Sequence, residues 1–347
     1  MKTSRLPTAI DVAKRAGVSR SAVSRTFTEG ASVSPETRAK VLAAAEDLGY
    51  RVNFLARGLI RQRTELVAMV VSDMDHSFRA RLVDLLSRGL VNLGYRPVLL
   101  PWSEGDNPGQ LIDMMLHYAV SGTIVTSDTP PGDIAAQCMQ HGVPLVLVNK
   151  APVDSNVARV VEDFESAGRL AADALAEAGC KRVAWAGQRR PSFTIGSRKA
   201  VFLDRLLDLG LDFVGDVTGA RQNYAGGQEA AQAFLEHGLQ ADGVHCANDF
   251  LALGFMDGLR AAGVTIPGDL AVVGSDDIAE ASWASYDLTT IEQRPEDLSQ
   301  ATLDALVDRI AHPAETARIR QVGVRLVRRG STGAVRVASS SGRSRGG

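Results

Sequence analysis

From Thr64 onward the chain alternates short, β-rich apolar runs with longer amphipathic stretches, and this alternation constrains the fold more than any other feature. Leu66–Val71, Pro97–Leu100, Gly122–Thr126, Pro144–Val148, Arg182–Ala186, Gly243–Cys246 and Leu270–Val273 have the length and composition of buried strands. Between them Phe78–Leu93, Gln110–Ala119, Ile134–His141, Ser166–Ala178, Ser197–Leu209, Gly226–His237, Phe250–Ala262 and Pro295–Ala311 repeat apolar residues at helical spacing. Strands alternating with helices build mainly parallel sheets. More than 260 residues is much for one such sheet, so two doubly wound lobes are expected. From Ser331 the chain is Ser, Gly, Arg and Ala with few large apolar groups, a composition expected to be disordered.

The first 50 residues break this rhythm and read as helix throughout. Thr8-Ala-Ile-Asp11 has capping-box spacing, with Asp where Glu or Gln is usual. Apolar Ile10, Val12, Ala13 and Ala16 follow, and Gly17 supplies the positive φ of a tight turn. Ser19 then caps a second helix, Arg20 to Phe27, which gives the order helix, glycine turn, helix. A third helix starts at Ser34-Pro35, is expected to bury Val41, Leu42, Ala45 and Leu48, and ends at Gly49. If Ala22, Val23 and Phe27 pack inward, Arg20, Ser21, Ser24 and Arg25 face outward. A helix entering the major groove needs polar groups there, and Arg fits the guanine O6 and N7 acceptors.

Charge divides the chain at the same place. Residues 1–63 carry 12 Lys and Arg against 5 Asp and Glu, net +7, while the other 284 carry 26 against 35, net −9. One end is suited to a polyanion and the rest is not. Charge alone leaves a solvated basic arm as the other reading. No apolar run approaches the ~18–20 residues that cross a bilayer, and no apolar segment follows Met1-Lys-Thr-Ser-Arg5, so neither a membrane partner nor a secretory signal is expected. Cys138, Cys180 and Cys246 form neither a disulfide framework nor a Cys-x-x-Cys spacing, which suits a cytoplasmic chain.

The stretch Thr8-Ala-Ile-Asp-Val-Ala-Lys-Arg-Ala-Gly-Val-Ser-Arg-Ser-Ala-Val-Ser-Arg25 resembles the N-terminal motif of the lactose-repressor (LacI/GalR) family of bacterial regulators almost position for position. The likeness continues through Val33–Arg38 and Leu48–Leu59, and reappears at Ser197-Arg198, Ala247-Asn-Asp249, Val272–Asp277 and Leu288–Ile291. It covers about residues 6–330.

The resemblance implies a helix-turn-helix DNA-binding head over 1–50, a hinge helix and linker over 51–63, and a periplasmic-binding-protein-like core over 64–330. That core has one lobe of about 64–161 and 292–321, and a second of about 162–291 and 322–330. Three crossovers join them, and 331–347 is left as a disordered tail. It also implies a cytoplasmic, nucleoid-associated homodimer on near-palindromic double-stranded operator DNA, a repressor switched by a small carbohydrate-like effector. A corepressor-dependent member of the family and, more remotely, a stand-alone solute-binding protein are the alternatives. In the head, Arg20, Ser21 and Arg25 are assigned to bases, and Thr8, Ser19, Ser24, Ser34 and Thr37 to phosphates. In the hinge, Asn53, Ala56 and Leu59 match the minor-groove contacts, Leu59 as the wedge. Val52 stands where the family often has Pro. In the core, Arg198, Asp276, Asn248, Asn149, Phe78, Arg79, Ser192, Thr194, Gln222 and Tyr224 are the candidate effector contacts. Arg79 replaces one member of an aromatic pair and favours an anionic ligand. Arg198 and Asp276 are equally compatible with an interlobe salt bridge, and Trp283 with core or ring stacking.

Nothing in the sequence supports an enzyme. There is no Gly-x-Gly-x-x-Gly after the first strand, no Gly-x-x-x-x-Gly-Lys-Ser/Thr and no Gly-x-Ser-x-Gly. The six histidines lack metal-binding spacing, so no cofactor or metal is expected.

Overall fold

The computed structural model describes residues 7–28, 31–51, 64–103, 105–126, 131–153 and 156–333. The chain divides into two compact units, Met1–Thr64 and Glu65–Gly347.

In the first unit three helices enclose a small core: α1 (Ala9–Ala16), α2 (Arg20–Thr26) and α3 (Pro35–Leu48). Thr8 and Asp11 close a reciprocal capping box at the start of α1, so two otherwise orphaned N–H groups are satisfied. Gly17 ends α1 at φ +67°, where its N–H reaches the carbonyls of Ala13 and Lys14. Val12, Ala13, Val23, Val41, Ala44 and Ala45 are buried, with Phe27 and Tyr50 tilted together 5.8 Å apart beside them. Leu42, expected in the core, lies outside at 47% exposure, and the apolar Ile10 of α1 is likewise 48% exposed. Each sits off the stripe that is buried, residues 12–13 in α1 and 41–44–45 in α3, so the helical period turns it to solvent.

The second unit carries two six-stranded sheets. Sheet one runs β11-β5-β4-β3-β1-β2, from β1 (Leu66–Val71), β2 (Arg96–Pro101), β3 (Gly122–Val125), β4 (Leu145–Val148), β5 (Ala158–Glu162) and β11 (Ile319–Val322), all parallel. Sheet two runs β12-β10-β9-β8-β6-β7, from β6 (Arg182–Gln188), β7 (Asp212–Gly219), β8 (Gly243–Cys246), β9 (Ala271–Asp276), β10 (Thr289–Glu292) and β12 (Arg325–Val327); only β12 is antiparallel to its neighbour. The chain therefore passes between the sheets three times: after β5, after β10 and after β11.

Strand periodicity shows how each sheet is buried on both faces. In β1, Val67, Met69 and Val71 face α4 (Ser77–Asn92) and α11 (Pro295–Ala311), while Ala68 and Val70 face α5 (Pro108–His117) and α6 (Pro131–Gln140). In sheet two, Ala184 and Val272 join α9 (Tyr224–Glu236) and α10 (Asp249–Ala261). Val183 and Val273 join α7 (Phe164–Glu177) and α8 (Phe193–Leu209) on the other face.

Five strands escape the sequence reading: β5, β7, β10, β11 and β12. β5 hides behind Arg159 and Glu162, which look like surface residues but are buried at 7% and 1% exposure. The Ser331 boundary of the expected disordered tail is also corrected. Gly330–Thr332 forms a 3-10 turn, and the buried Ser331 hydroxyl donates to the Val272 carbonyl and accepts from Thr289 N–H. A hydroxyl bonded to two core strands holds a segment whose composition alone has nothing to bury. Residues 334–347 lie outside the described residues, as do residues 52–63 of the hinge with Asn53, Ala56 and Leu59.

Candidate functional site: a polar helix face and an interlobe cleft

On the head, Arg20, Ser21, Ser24 and Arg25 are all exposed on α2. Ser19 caps the helix by accepting from Ala22 N–H, and its hydroxyl lies 2.9 Å from that of Ser21. Arg25 reaches back to the Ser21 carbonyl at 3.4 Å. Of the residues assigned to phosphates, Ser34 caps α3 and bonds the Thr37 hydroxyl at 2.8 Å, and the Thr8 hydroxyl donates to Asp11 at 2.6 Å. These caps hold helix N-termini in place, the ends that carry partial positive charge.

In the second unit the carboxyl ends of both sheets face one cleft, the position where open α/β sheets take ligands. Its volume is about 80 Å³, room for several water-sized groups at roughly 10–15 Å³ each. Nine of the ten sequence-assigned residues line it. Phe78 and Arg79 come from the start of α4, Asn149 from the end of β4, and Ser192, Thr194 and Arg198 from α8 and its N-cap. Gln222 precedes α9, Asn248 caps α10, and Asp276 ends β9. Asn149 and Asp276 both hold positive φ, +54° and +122°, a backbone cost of ~1–3 kcal/mol each that clusters where function lies.

Tyr224 is the tenth, and the structure corrects it. It opens α9 and turns its hydroxyl to Asp257 at 2.7 Å, where the Tyr286 hydroxyl also donates at 2.8 Å. Trp283 is 55% exposed and does not line the cleft. Arg79 does line it, but its guanidinium binds Asp73 at 2.6 Å and Ser72 at 2.9 Å. Its charge already has a counterion, which weakens the case for an anionic ligand.

Arg198 is fully buried because α7 and α8 pack at backbone distance: a Cβ on Gly168 would come within 2.6 Å of the Arg198 carbonyl. Its guanidinium donates to Glu162 at 3.2 Å and to the Ala247 carbonyl at 2.5 Å. The interlobe ion pair is therefore Arg198 with Glu162, at the end of β5, rather than with Asp276. Burial pushes the Glu162 carboxyl up despite Arg198. The Asp276 carboxyl is pushed well up, first by burial and then by Asp249. Its Oδ1 accepts from Gln293 at 2.5 Å, and its Oδ2 lies 3.5 Å from His76 Nε2. Burial, with Arg79 nearby, lowers the His76 pKa to about 4, so the ring is neutral at ordinary pH. His76, Lys150 and Gln293 also line the cleft, and no motif in the sequence marks them; the spacing of the histidines speaks only against a metal site. Among the described residues no group of His, Cys, Asp and Glu could hold a metal ion.

The cleft also gathers unsatisfied polar atoms. Among the described residues, His76 Nδ1, Arg198 Nε, Gln222 Nε2 and Gln293 Oε1 are buried without a hydrogen-bond partner, and all four residues line it. A buried group left unpaired costs ~1–3 kcal/mol, so donors and an acceptor held open together mark a place for a polar molecule.

Comparison with known proteins gives matching results for both units. Residues 8–53 match the model of bacterial regulatory proteins of the lacI family, and residues 172–332 match a periplasmic binding protein-like domain. The chain is 30% identical over 327 residues to the ribose operon repressor of Escherichia coli K12, covering 92% of this chain and 98% of that one. Among solved structures it is similar to a lac repressor dimer bound to operator and an anti-inducer, with TM-score 0.85, 25% identity and coverage of 95% and 100%. It is also similar to the transcriptional regulator CelR in complex with cellobiose, with TM-score 0.71, 29% identity and coverage of 94% and 99%.

Proposed function

This chain belongs to the lacI family of bacterial regulatory proteins, and from that premise we propose that it represses transcription from a near-palindromic operator until a small carbohydrate binds its cleft. It is a DNA-binding transcriptional regulator with an α/β effector-binding core, and not an enzyme. None of its described helices is long and apolar enough to cross a membrane. We place the protein in the cytoplasm, on the nucleoid.

In this reading Arg20, Ser21 and Arg25 read base edges, while Thr8, Ser19, Ser24, Ser34 and Thr37 hold the backbone. One head spans few base pairs, so useful specificity needs a homodimer on two half-sites related by its two-fold axis. The hinge, outside the described residues, is assigned to the minor groove through Asn53, Ala56 and Leu59. In the core, Arg198, Asp276, Asn248, Asn149, Phe78, Arg79, Ser192, Thr194 and Gln222 form the effector site.

The observation that carries this reading is the polar lining of one small cleft, where His76, Arg198, Gln222 and Gln293 each keep a buried polar atom without a partner. A polyhydroxylated molecule offers paired donors and acceptors to such a lining. Relatives named for ribose and cellobiose support the same class. An effector releases DNA only if it binds the DNA-incompetent arrangement more tightly, so the coupling is reciprocal. Its test is a thermal-shift screen of sugars followed by operator binding with the stabilising sugar present. A raised melting temperature with weakened operator binding is expected. Strengthened operator binding would make the ligand a corepressor, and no shift with any sugar would refute the assignment.

A further inference from the structure

His76 and Asn248 stand on opposite lobes, one just before α4 on sheet one and the other at the cap of α10 on sheet two. Their side chains meet across the cleft, with Asn248 Nδ2 2.9 Å from His76 Nε2. The orientation of each group follows from its other bonds. Asn248 Oδ1 accepts from Leu251 N–H at 2.8 Å to cap α10, so its amide nitrogen must face the cleft. That nitrogen only donates, to His76 Nε2 and to the Gln222 carbonyl at 3.3 Å. His76 Nε2 is therefore an acceptor, and the ring proton sits on Nδ1, the atom left without a partner. His76 caps α4 with no side-chain hydrogen bond, so its ring is not used by its own helix. Asp276 Oδ2 lies 3.5 Å from the same Nε2, and a ring-edge contact with Phe250 at 6.1 Å steadies the imidazole.

We propose that His76 is a specificity-determining effector contact, and that the effector enters by placing one hydroxyl between His76 and Asn248. This rests on the cleft being the effector site. A hydroxyl can donate to Nε2 and accept from the amide at once, replacing the cross-cleft hydrogen bond by two. A carboxylate only accepts, so it can take the Asn248 amide proton but meets the His76 Nε2 lone pair with nothing to give. The subsite thus selects neutral sugars over their carboxylated counterparts, in spite of the arginines nearby.

The test is isothermal titration of the full-length protein at pH 7.5 with five probes: D-ribose, D-glucose, D-glucuronate, D-galactose and D-galacturonate. At least one neutral sugar should bind, and a uronate should bind its neutral partner's site at least tenfold more weakly. His76→Phe, which keeps a ring but no acceptor, should weaken that sugar tenfold or more with an unchanged melting profile, and His76→Asn, with an amide oxygen, should recover part of the loss. If His76→Phe fails to fold, His76→Asn and the uronate comparison still decide. A uronate binding as tightly as its neutral partner, or full sugar affinity in both His76 variants, overturns this inference and leaves the sugar cleft standing. Binding of none of the five overturns this inference, and the wider sugar screen then decides the sugar reading itself.

Discussion

On the head, Arg20, Ser21, Ser24 and Arg25 stand in solvent on a seven-residue helix, whereas in the core Arg198, Asn248 and Asp276 are 1%, 3% and 5% exposed. The head presents charge that stays hydrated until a polyanion arrives, so its affinity comes from phosphate neutralisation and its specificity from a few side chains. The cleft has already lost that hydration, and its polar atoms are held by neighbours or left open. The same residue type is therefore used in two ways: arginine stands exposed on α2, where we assign it to base edges, and buried in α8, where it is bonded to Glu162 and the Ala247 carbonyl.

The largest expected difference follows directly. Arg198→Ala leaves Glu162 buried without its cation, and breaking such a pair costs ~3–5 kcal/mol of stability. Arg20→Ala, at an exposed site, should change stability by less than ~0.5 kcal/mol. Urea unfolding of both variants checks this, and comparable losses would erase the distinction between the two sites.

On DNA the ranking reverses. Arg20→Ala should cost ~1–3 kcal/mol on the operator and little on random DNA, because a base contact carries sequence information and a phosphate contact does not. Anisotropy titrations with both duplexes measure it, and equal losses would reassign Arg20 to the backbone.

Tyr224 offers a smaller test. Tyr224→Phe removes its bond to Asp257 but touches no cleft surface, so sugar affinity should stay within about twofold while stability falls by ~0.5–1.5 kcal/mol. A tenfold loss of sugar binding would return Tyr224 to the site.

The last effect is a pH slope rather than a fixed loss. His76 titrates near 6.5 when unfolded and at about 4 when folded. Between those values the unfolded chain binds a proton that the folded one does not, so this residue makes stability fall as pH falls, by up to ~1.4 kcal/mol per unit. Asp249, whose pKa burial raises to about 7, acts in the opposite direction over part of this range. The difference between wild type and His76→Asn isolates the histidine. Thermal melts from pH 7 to 4.5 should be flatter in the variant, and parallel curves would mean that His76 is not buried neutral.

The head and the cleft also differ in how far the sequence reveals them. The Thr8 capping box, the Gly17 turn and the Ser19 and Ser34 caps are interactions between residues a few positions apart, so spacing alone exposes them. The cleft is assembled from residues 76 to 293 on both sheets, and no spacing encodes which side chains converge. Family resemblance supplied nine of its residues, yet it assigned Tyr224 by position in a loop and could not see the hydroxyl turning toward Asp257. Glu162 escaped because a charged residue ending a short strand reads as surface until its partner is found on the other lobe. Leu42 shows the same limit in miniature: its hydrophobicity reads as core, and a rotation of one helical position puts it outside.

The central claim is that a sugar held by buried side chains in the cleft changes what the exposed arginines of the head do on DNA. Operator affinity of wild type and Asp276→Asn, each measured with and without the sugar that stabilises wild type, tests it most directly. Asn is isosteric and can still accept from Gln293, so the two proteins should bind operator equally when the sugar is absent. With the sugar present, wild type should lose at least tenfold in affinity and the variant should not respond. An unchanged response in Asp276→Asn, or no response in wild type, would contradict the account.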